Sequence, residues 1–310
     1  MKIMFMGTPE ISATCLSALI DAGLDIVAAV TGEDKPRGRG NVMTPTAVKA
    51  LALEHGIPVL TPKTLRDDSF LSELEAYAPE LIIVVAYGKI LPKAVLDYPK
   101  FGCINLHVSL LPKYRGAAPM QRAVMNGEST TGVTVMHMAE GLDTGDIISV
   151  AEFPIGPLDT FETVHDNSAR IGSSLLISTV RDIEEGRAKR IPQDDALATY
   201  AKKVEKEDCY IDFSGRASQL DCIIRGVTPI PGAFAYLNGK MLKIFNARPV
   251  SGHGQPGEVI SLDDKGEGSF TVACGEGALR ISGVIPEGRG RMTAGDFIRG
   301  RKINLGDILK

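Results

Sequence analysis

Asn105 and His107 are the residues whose types and spacing are best suited to chemistry. They lie in the mostly apolar run Cys103-Ile104-Asn105-Leu106-His107, which we predict to be a strand. Because successive side chains of a strand point to opposite faces, these two residues share one face. An amide and an imidazole side by side can donate two hydrogen bonds to one oxygen, and the imidazole also exchanges a proton near neutral pH. The pair is therefore suited to attack on a carbonyl carbon.

Asp143, in the loop that runs from Gly141 to Asp146, supplies a carboxylate for the same site. Together the three side chains could offer two donors to an oxyanion and a carboxylate that orients or charges the imidazole. The spacing alone leaves a hydrogen-bonded polar pair at a strand end as an alternative. A metal site built from His107, His137 and Asp143 is less favoured, because these residues lack a recognised ligand spacing. We expect no metal.

The elements that must position this site begin with a strand, a helix and a second strand, over Lys2 to Met6, Pro9 to Ala22 and Asp25 to Val30. This order predicts an α/β domain with a Rossmann-like, mostly parallel sheet. The first turn, Gly7-Thr8-Pro9, lacks the GxGxxG pattern, so a nicotinamide cofactor is not expected.

A fully apolar run from Leu81 to Ala86 predicts a strand that is buried on both faces. Tyr87 and Gly88 follow it directly. Ligands of open α/β sheets bind outside the carboxyl ends of the strands, and His107 also stands at such an end. The sequence therefore predicts that Tyr87, Gly88 and His107 share one pocket.

The pattern changes beyond Pro229 to short strands with turn signals, among them Asn238-Gly239. These features predict a smaller β-barrel domain of the OB kind. We predict a first domain over residues 1–186, a charged linker over 187–207 and a second domain over 208–310.

Charge is distributed unevenly along the chain, whose net charge is -4. Residues 1–186 carry 15 basic and 23 acidic residues, for a net charge of -8, whereas residues 187–310 carry 19 and 15, for +4. A basic second part suits a polyanionic partner, although a difference of this size also occurs on ordinary solvated surfaces. A second basic stretch, residues 31–43, is rich in glycine and proline and is predicted to be a long loop, either functional or a tolerated insertion.

Five scattered cysteines, with no CxxC pair, argue against a disulfide framework and a structural zinc site. The N-terminus resembles neither a signal peptide nor a membrane span. We therefore expect a cytoplasmic protein that does not bind membranes.

Longer motifs give the chain a resemblance to a known family. Three segments are similar to the signature of the folate-dependent formyltransferases: Gly102-Cys103-Ile104-Asn105-Leu106-His107-Val108-Ser109-Leu110-Leu111-Pro112, Arg115-Gly116-Ala117-Ala118-Pro119 and Leu142-Asp143-Thr144-Gly145-Asp146-Ile147. Within that family, the whole chain resembles the members that formylate methionyl initiator tRNA, through Gly7-Thr8-Pro9, Pro36-Arg37-Gly38-Arg39-Gly40, Val85-Ala86-Tyr87-Gly88 and Thr199-Tyr200-Ala201-Lys202-Lys203.

The resemblance implies transfer of a formyl group from 10-formyltetrahydrofolate, a co-substrate, to the α-amine of methionine on initiator tRNA. It assigns the catalytic role to Asn105, His107 and Asp143. For the mechanism, we expect Asn105 and protonated His107 to hold the oxyanion, with Asp143 favouring the charged ring. The residues expected to bind the folate are Tyr87, Gly88, Ser109, Leu110, Leu111 and Pro112. Those expected to bind tRNA are Arg39 and Arg37 in the basic loop and Arg289 and Arg291 in the second domain. A monomer is expected.

Two classes of alternative remain open at this stage. The first is another enzyme on the same scaffold, either a formyl-folate hydrolase or an amino-sugar formyltransferase. The second is a non-catalytic RNA-binding protein that uses the barrel alone, which leaves Asn105, His107 and Asp143 unexplained.

Overall fold

The computed structural model of the chain describes residues 1–37 and 40–310, with Arg37 described through its backbone alone. Contacts divide the chain into two compact units. The first comprises residues 1–116, 131–153 and 165–201, and the second comprises residues 117–130, 154–164 and 202–310. Each unit contains a hydrophobic cluster of its own.

Eleven strands are found in the described residues up to Ala201. In chain order they are β1 (Ile3–Gly7), β2 (Ile26–Val30), β3 (Lys35–Arg37), β4 (Val42–Thr44), β5 (Val59–Leu60), β6 (Leu81–Val85), β7 (Cys103–His107), β8 (Arg115–Gly116), β9 (Thr130–His137), β10 (Ile147–Pro154) and β11 (Tyr200–Ala201). The main sheet has the order β10-β9-β7-β6-β1-β2-β5. The ladders from β5 to β7 are parallel, and β9 runs antiparallel to β7. The predicted mostly parallel sheet is confirmed.

Six helices accompany these strands: α1 (Glu10–Asp21), α2 (Ala47–Glu54), α3 (Asp68–Tyr77), α4 (Lys93–Leu96), α5 (Pro119–Met125) and α6 (Phe161–Glu184). Side-chain caps fix where two of them begin. Thr46 Oγ1 accepts a hydrogen bond from Lys49 N at 3.1 Å, and Asp67 Oδ1 accepts one from Phe70 N at 3.1 Å. No helix in the described part of the chain is long and apolar enough to cross a membrane.

The segment predicted to be a long loop contains a short hairpin. β3 and β4 pair antiparallel, with Lys35 opposite Thr44 and Arg37 opposite Val42. The sequence has no apolar alternation there, so backbone pairing was not predicted. Arg39 lies outside the described residues.

Residues 187–201, predicted as part of a linker, belong to the first unit. Ile191 and Ile147 exchange backbone hydrogen bonds of 2.8 and 2.9 Å, and β11 pairs in parallel with β8. The contacts thus place the last change of unit along the chain after Ala201, whereas the predicted linker covers residues 187–207. This charged, irregular segment pairs through its backbone, and such pairing produces no pattern of side chains from which it could be predicted.

The second unit contains an antiparallel sheet, and its residues 117–130 include α5. Its elements beyond residue 202 are α7 (Ala217–Gly226), β12 (Ala233–Leu237), β13 (Lys240–Val250), β14 (Val259–Asp263), β15 (Ser269–Ala273), β16 (Ala278–Pro286), β17 (Met292–Thr293) and α8 (Ala294–Arg299). The strand order is β12-β13-β16-β15-β14, and β17 pairs with β16. Asn238 and Gly239, between β12 and β13, have φ angles of 51° and 76°, as a type I′ hairpin turn requires.

Residues 306–310 join the two outermost strands of this sheet. Lys310 N donates to Tyr236 O at 2.8 Å on β12, and Val259 N on β14 donates to Asp307 O at 2.8 Å. Leu309 forms a bridge with Leu237 and lies in the core with 2% of its surface exposed. The segment therefore connects the open sides of the sheet in the manner of a barrel.

Replacing Leu309 with alanine is expected to lower the free energy of unfolding by about 2–5 kcal/mol, because the change leaves a cavity in the core. Urea unfolding of purified protein measures it. Leu305→Ala is the matched control: Leu305 is in the same stretch but 66% exposed, so its effect should stay within about 0.5 kcal/mol. Equal effects of the two changes would contradict the packing role of Leu309.

Candidate active site

The carboxyl edge of β6 and β7 brings the predicted residues together. Val84 of β6 pairs with Asn105 of β7, so Tyr87 and Gly88 leave β6 at the edge where β7 ends at His107. On the other side of β7, His107 is opposite Thr134 of β9.

His107 is buried, with 5% of its surface exposed, and both ring nitrogens have neighbours. Nε2 lies 2.9 Å from the carbonyl oxygen of Tyr114. Because a carbonyl only accepts, Nε2 carries a hydrogen. Nδ1 lies 3.6 Å from Asp143 Oδ2, which is close enough for strong attraction when the ring is protonated but too long for a good hydrogen bond. Nδ1 is therefore the ring nitrogen with capacity for a substrate.

Burial is the dominant influence on the protonation of His107 and lowers its pKa below the ordinary value of 6.5. The Asp143 carboxylate and the Tyr114 carbonyl act in the opposite direction, because both favour the charged ring. The neutral imidazole is thus favoured before any reaction, whereas our mechanism from the sequence expected a protonated His107. The protonated form of this ring therefore depends on the nearby Asp143 carboxylate.

Asn105 contrasts with His107, because its side chain is not committed to the fold. It is partly exposed, and its amide makes no hydrogen bond to any residue that the structure describes. Both amide hydrogens can therefore be donated to a bound molecule.

Asp143 is held in the left-handed region, with φ at 52°. Its Oδ2 accepts a hydrogen bond from Gly116 N at 2.8 Å. Nearby, a Cβ on residue 145 would overlap the carbonyl of His137, so the loop requires glycine there.

The sequence did not predict the groups that hold His107 and Asp143, namely the Tyr114 carbonyl, Gly116 N, Gln193 and Arg115. Gln193 is a single amide in an irregular segment and gives no spacing signal.

His137 does not join His107 and Asp143 in a metal site. Its Nδ1 lies 3.5 Å from Arg190 Nη2. Among the residues described, no group of three His, Cys, Asp or Glu is arranged to hold a metal ion.

The residues expected to bind the folate differ in how accessible they are. Ser109 is buried and its hydroxyl donates to Lys113 O at 2.7 Å, while Leu111 packs in a small core cluster with Met136 and Ile147. Leu110 and Pro112 are partly exposed. Ser109 and Leu111 thus shape the turn after β7, and Leu110 and Pro112 offer surface.

Tyr87 and Gly88 also differ in how accessible they are. Tyr87 is 5% exposed, its hydroxyl has no partner within the described residues, and burial raises its pKa to about 12. Gly88 is exposed with φ at 82°, and a Cβ there would meet no atom within 4 Å. Open space thus lies beside the backbone of Gly88.

The arginines expected to bind tRNA are only partly described. Arg37 contributes its backbone to β3. Arg289 is exposed and lines a cleft of about 650 Å³ in the second unit, together with Lys240, Arg301 and Lys302. Arg291 is exposed and its guanidinium lies 3.9 Å from the centroid of the Phe245 ring.

Comparison with known proteins decides the family. Residues 1–180 match the family described as formyl transferase, and residues 203–302 match the formyl transferase C-terminal domain. The chain belongs to the formyl transferase family. It is accordingly an enzyme of the transferase class.

Two curated formyltransferases resemble the chain over almost its whole length. The methionyl-tRNA formyltransferase of Citrifermentans bemidjiense is 46% identical over 309 residues, which cover 100% of this chain and 96% of that protein. The methionyl-tRNA formyltransferase of Syntrophus aciditrophicus is 47% identical over 310 residues, which cover 99% of this chain and 98% of that protein.

Among solved structures, HypX from Aquifex aeolicus in complex with tetrahydrofolic acid has a similar fold. The TM-score is 0.65 at 20% identity, and the match covers 99% of this chain and 50% of HypX. The chain thus spans about half the length of that protein. At this identity the likeness concerns the fold alone.

Proposed function

We propose that this formyltransferase transfers the formyl group of 10-formyltetrahydrofolate to the α-amine of methionine on initiator tRNA. The observation that carries the proposal is the geometry of three side chains at one edge of the sheet. An uncommitted amide, Asn105, lies two residues from His107, whose Nδ1 is 3.6 Å from the Asp143 carboxylate. The acceptor is supported by full-length identities of 46 and 47% to methionyl-tRNA formyltransferases.

The reaction assigns a task to each of the three side chains. The amine attacks the formyl carbon, and Asn105 donates hydrogen bonds to the oxygen as it becomes negative. His107 Nδ1 takes the proton shed by the amine, and Asp143 stabilises the resulting imidazolium. The C–N bond to the folate N10 then breaks, and N10 receives the proton from His107. The products are the formylated amine and tetrahydrofolate, so atoms and protons balance.

The folate is proposed to lie along the turns after β6 and β7. On one turn, the backbone of Gly88 is accessible to a ligand. On the other, Leu110 and Pro112 offer partly exposed apolar surface. Tyr87, Ser109 and Leu111, which are buried, support these turns. Apolar walls with few polar groups are typical of small-molecule sites.

Initiator tRNA is proposed to contact Arg37 and Arg39 in the first unit and Arg289 and Arg291 in the second. Arg289 and Arg291 are exposed, and arginine suits phosphate oxygens because the guanidinium keeps its charge and offers a fork of donors. We also propose that the enzyme acts as a monomer in the cytoplasm.

Replacing Arg289 with alanine is expected to weaken tRNA binding and to reduce the slope of log affinity against log salt by about one. The KM for the folate should not change. Filter binding at several salt concentrations measures the slope. Arg216→Ala is the control, because Arg216 is exposed but paired with Glu276 at 2.9 Å. An unchanged slope would remove Arg289 from the tRNA contacts.

One assay distinguishes this function from the alternatives. Labelled 10-formyltetrahydrofolate is supplied with charged initiator tRNA, charged elongator tRNA, an amino-sugar nucleotide or water alone. Label should appear on the methionine of initiator tRNA. Formylation of the sugar, or release of formate in water at a comparable rate, would overturn the proposal. A lack of any turnover, with tRNA binding intact, would favour a non-catalytic RNA-binding protein.

A further inference from the structure

Gln193 links the loop that carries Asp143 to a buried arginine. Its Nε2 donates to the carbonyl oxygens of Asp143 and Gly145, each at 2.8 Å. Its Oε1 accepts from Arg115 Nε at 3.1 Å and from Nη2 at 2.8 Å. The amide of Gln193 therefore uses both hydrogens and both oxygen lone pairs.

Arg115 is itself fixed, since only 2% of its surface is exposed. Its Nη2 also donates to Asp195 Oδ1 at 2.7 Å, and its backbone N donates to Thr199 O at 2.8 Å. A buried guanidinium requires partners for its hydrogens, and Gln193 and Asp195 accept those of Nε and Nη2. Gln193 is thus attached to a rigid point in the first unit.

The residues on either side of Arg115 contact the His107–Asp143 pair. The Tyr114 carbonyl lies 2.9 Å from His107 Nε2, and Gly116 N donates to Asp143 Oδ2 at 2.8 Å. One short segment therefore holds the imidazole, the carboxylate and, through Arg115 and Gln193, the backbone of the Asp143 loop.

Asp143 needs this support because of its backbone conformation. A non-glycine residue at a φ of 52° persists only when its surroundings hold it. Gly116 N fixes the carboxylate, and the two carbonyl contacts of Gln193 fix the backbone. Because attraction between charges falls with distance, a shift of the loop would weaken the effect of Asp143 on His107.

We propose that Gln193 is a positioning residue that keeps the Asp143 carboxylate beside His107 by bridging the Asp143 loop to Arg115. It acts through Asp143 and need not touch a substrate. The inference rests on the proposed formyl transfer for its kinetic consequences, although its structural consequence for His107 can be measured without turnover.

Gln193→Met, which has a similar length but no donors, is expected to lower kcat by about 10- to 100-fold. The KM values for both substrates should change little, because Gln193 supports the reacting groups. Asp194→Ala is the control: Asp194 lies in the same segment, but within the described part of the chain its Oδ1 accepts only from Ala196 N, at 3.0 Å. Its kcat should stay close to that of the unsubstituted enzyme.

A histidine titration by NMR measures the midpoint of His107, which would not change if Gln193 had a merely structural role. The chain has five histidines, and the His107 signal is identified by its loss in His107→Asn. Asp143 is the charged side chain that acts on His107. In Gln193→Met the His107 midpoint should therefore fall below that of the unsubstituted protein, while Asp194→Ala leaves it unchanged. An unchanged midpoint in a folded Gln193→Met protein would overturn the positioning role.

Gln193→Glu keeps the proposal testable should the methionine variant fail to fold. A glutamate still accepts from Arg115 but cannot donate to the carbonyls of Asp143 and Gly145. It should show a similar loss of kcat with a thermal midpoint near that of the parent. An unchanged kcat would overturn the proposal. If the parent enzyme itself formylates no tRNA, the proposed function fails, whereas the NMR comparison still decides the role of Gln193.

Discussion

Replacing Asp143 with asparagine is expected to lower kcat by about a hundredfold to ten-thousandfold. Asparagine tolerates the left-handed backbone and can still accept the hydrogen bond from Gly116 N, so the loop should keep its shape. What is lost is the negative charge 3.6 Å from His107 Nδ1. The imidazolium formed when the amine loses its proton would then be buried without a counter-ion. Single-turnover formylation of charged initiator tRNA measures the effect.

The pH dependence of the same variant tests the cause of the loss. Burial lowers the pKa of His107 and Asp143 raises it, so removing the carboxylate lowers that pKa further. A neutral base loses activity as the pH falls through its pKa, and the acid limb of the profile should therefore move to lower pH in Asp143→Asn. The titration of the amine is common to both enzymes and does not alter the difference.

Asp146→Asn is the matched control for Asp143→Asn. Asp146 lies in the same loop region, but its carboxylate is 3.8 Å from Arg190 and is assigned no task in the transfer. Its kcat and acid limb should stay close to those of the parent. If both variants lose activity equally, general damage to the loop explains the result better than a specific role of Asp143.

Replacing Asn105 with alanine is expected to lower kcat by about a hundredfold to a thousandfold, with little change in stability. The amide is proposed to stabilise charge that develops only during the reaction. It makes no hydrogen bond to the described residues, so its removal leaves no unsatisfied partner in the fold. Steady-state kinetics and thermal unfolding should separate the two effects.

Asn167→Ala provides a comparison for the truncation of an amide. Among the described residues, the Asn167 Oδ1 on α6 accepts only a long bond of 3.5 Å, from Arg170. This variant should keep both its kcat and its thermal midpoint. A kcat for Asn105→Ala within threefold of the parent would show that Asn105 is not an oxyanion donor, because about 0.65 kcal/mol separates such rates.

The strands that carry the site could be predicted because the pattern of their side chains is typical of extended backbone. β6 is five apolar residues buried on both faces, and the alternation in β7 places Asn105 and His107 on one side. The Asn238-Gly239 turn could also be predicted, since asparagine and glycine tolerate positive φ. Asp143 could be nominated as a carboxylate for the same site, although it stands 36 residues beyond His107 and cannot be placed beside it by periodicity.

The groups that support the site could not be predicted, because most of them act through the backbone. The contacts of the Tyr114 carbonyl and of Gly116 N depend on where the chain passes and on no particular side chain. Gln193 bonds to backbone carbonyls 50 and 48 positions away, which no local pattern encodes. The same holds for β11, whose pairing with β8 gives a charged segment a fixed place in the first unit.

Residues 306–310 also bear on how the protein behaves at high concentration. They occupy backbone groups of both β12 and β14, the strands at the two sides of the second sheet. Unpaired edge strands are templates for strand addition by another molecule, and covering them is a defence against aggregation. Loss of the Leu309 anchor would therefore do more than destabilise the fold. It would uncover two edges, and chains with that change should associate through them before they unfold completely.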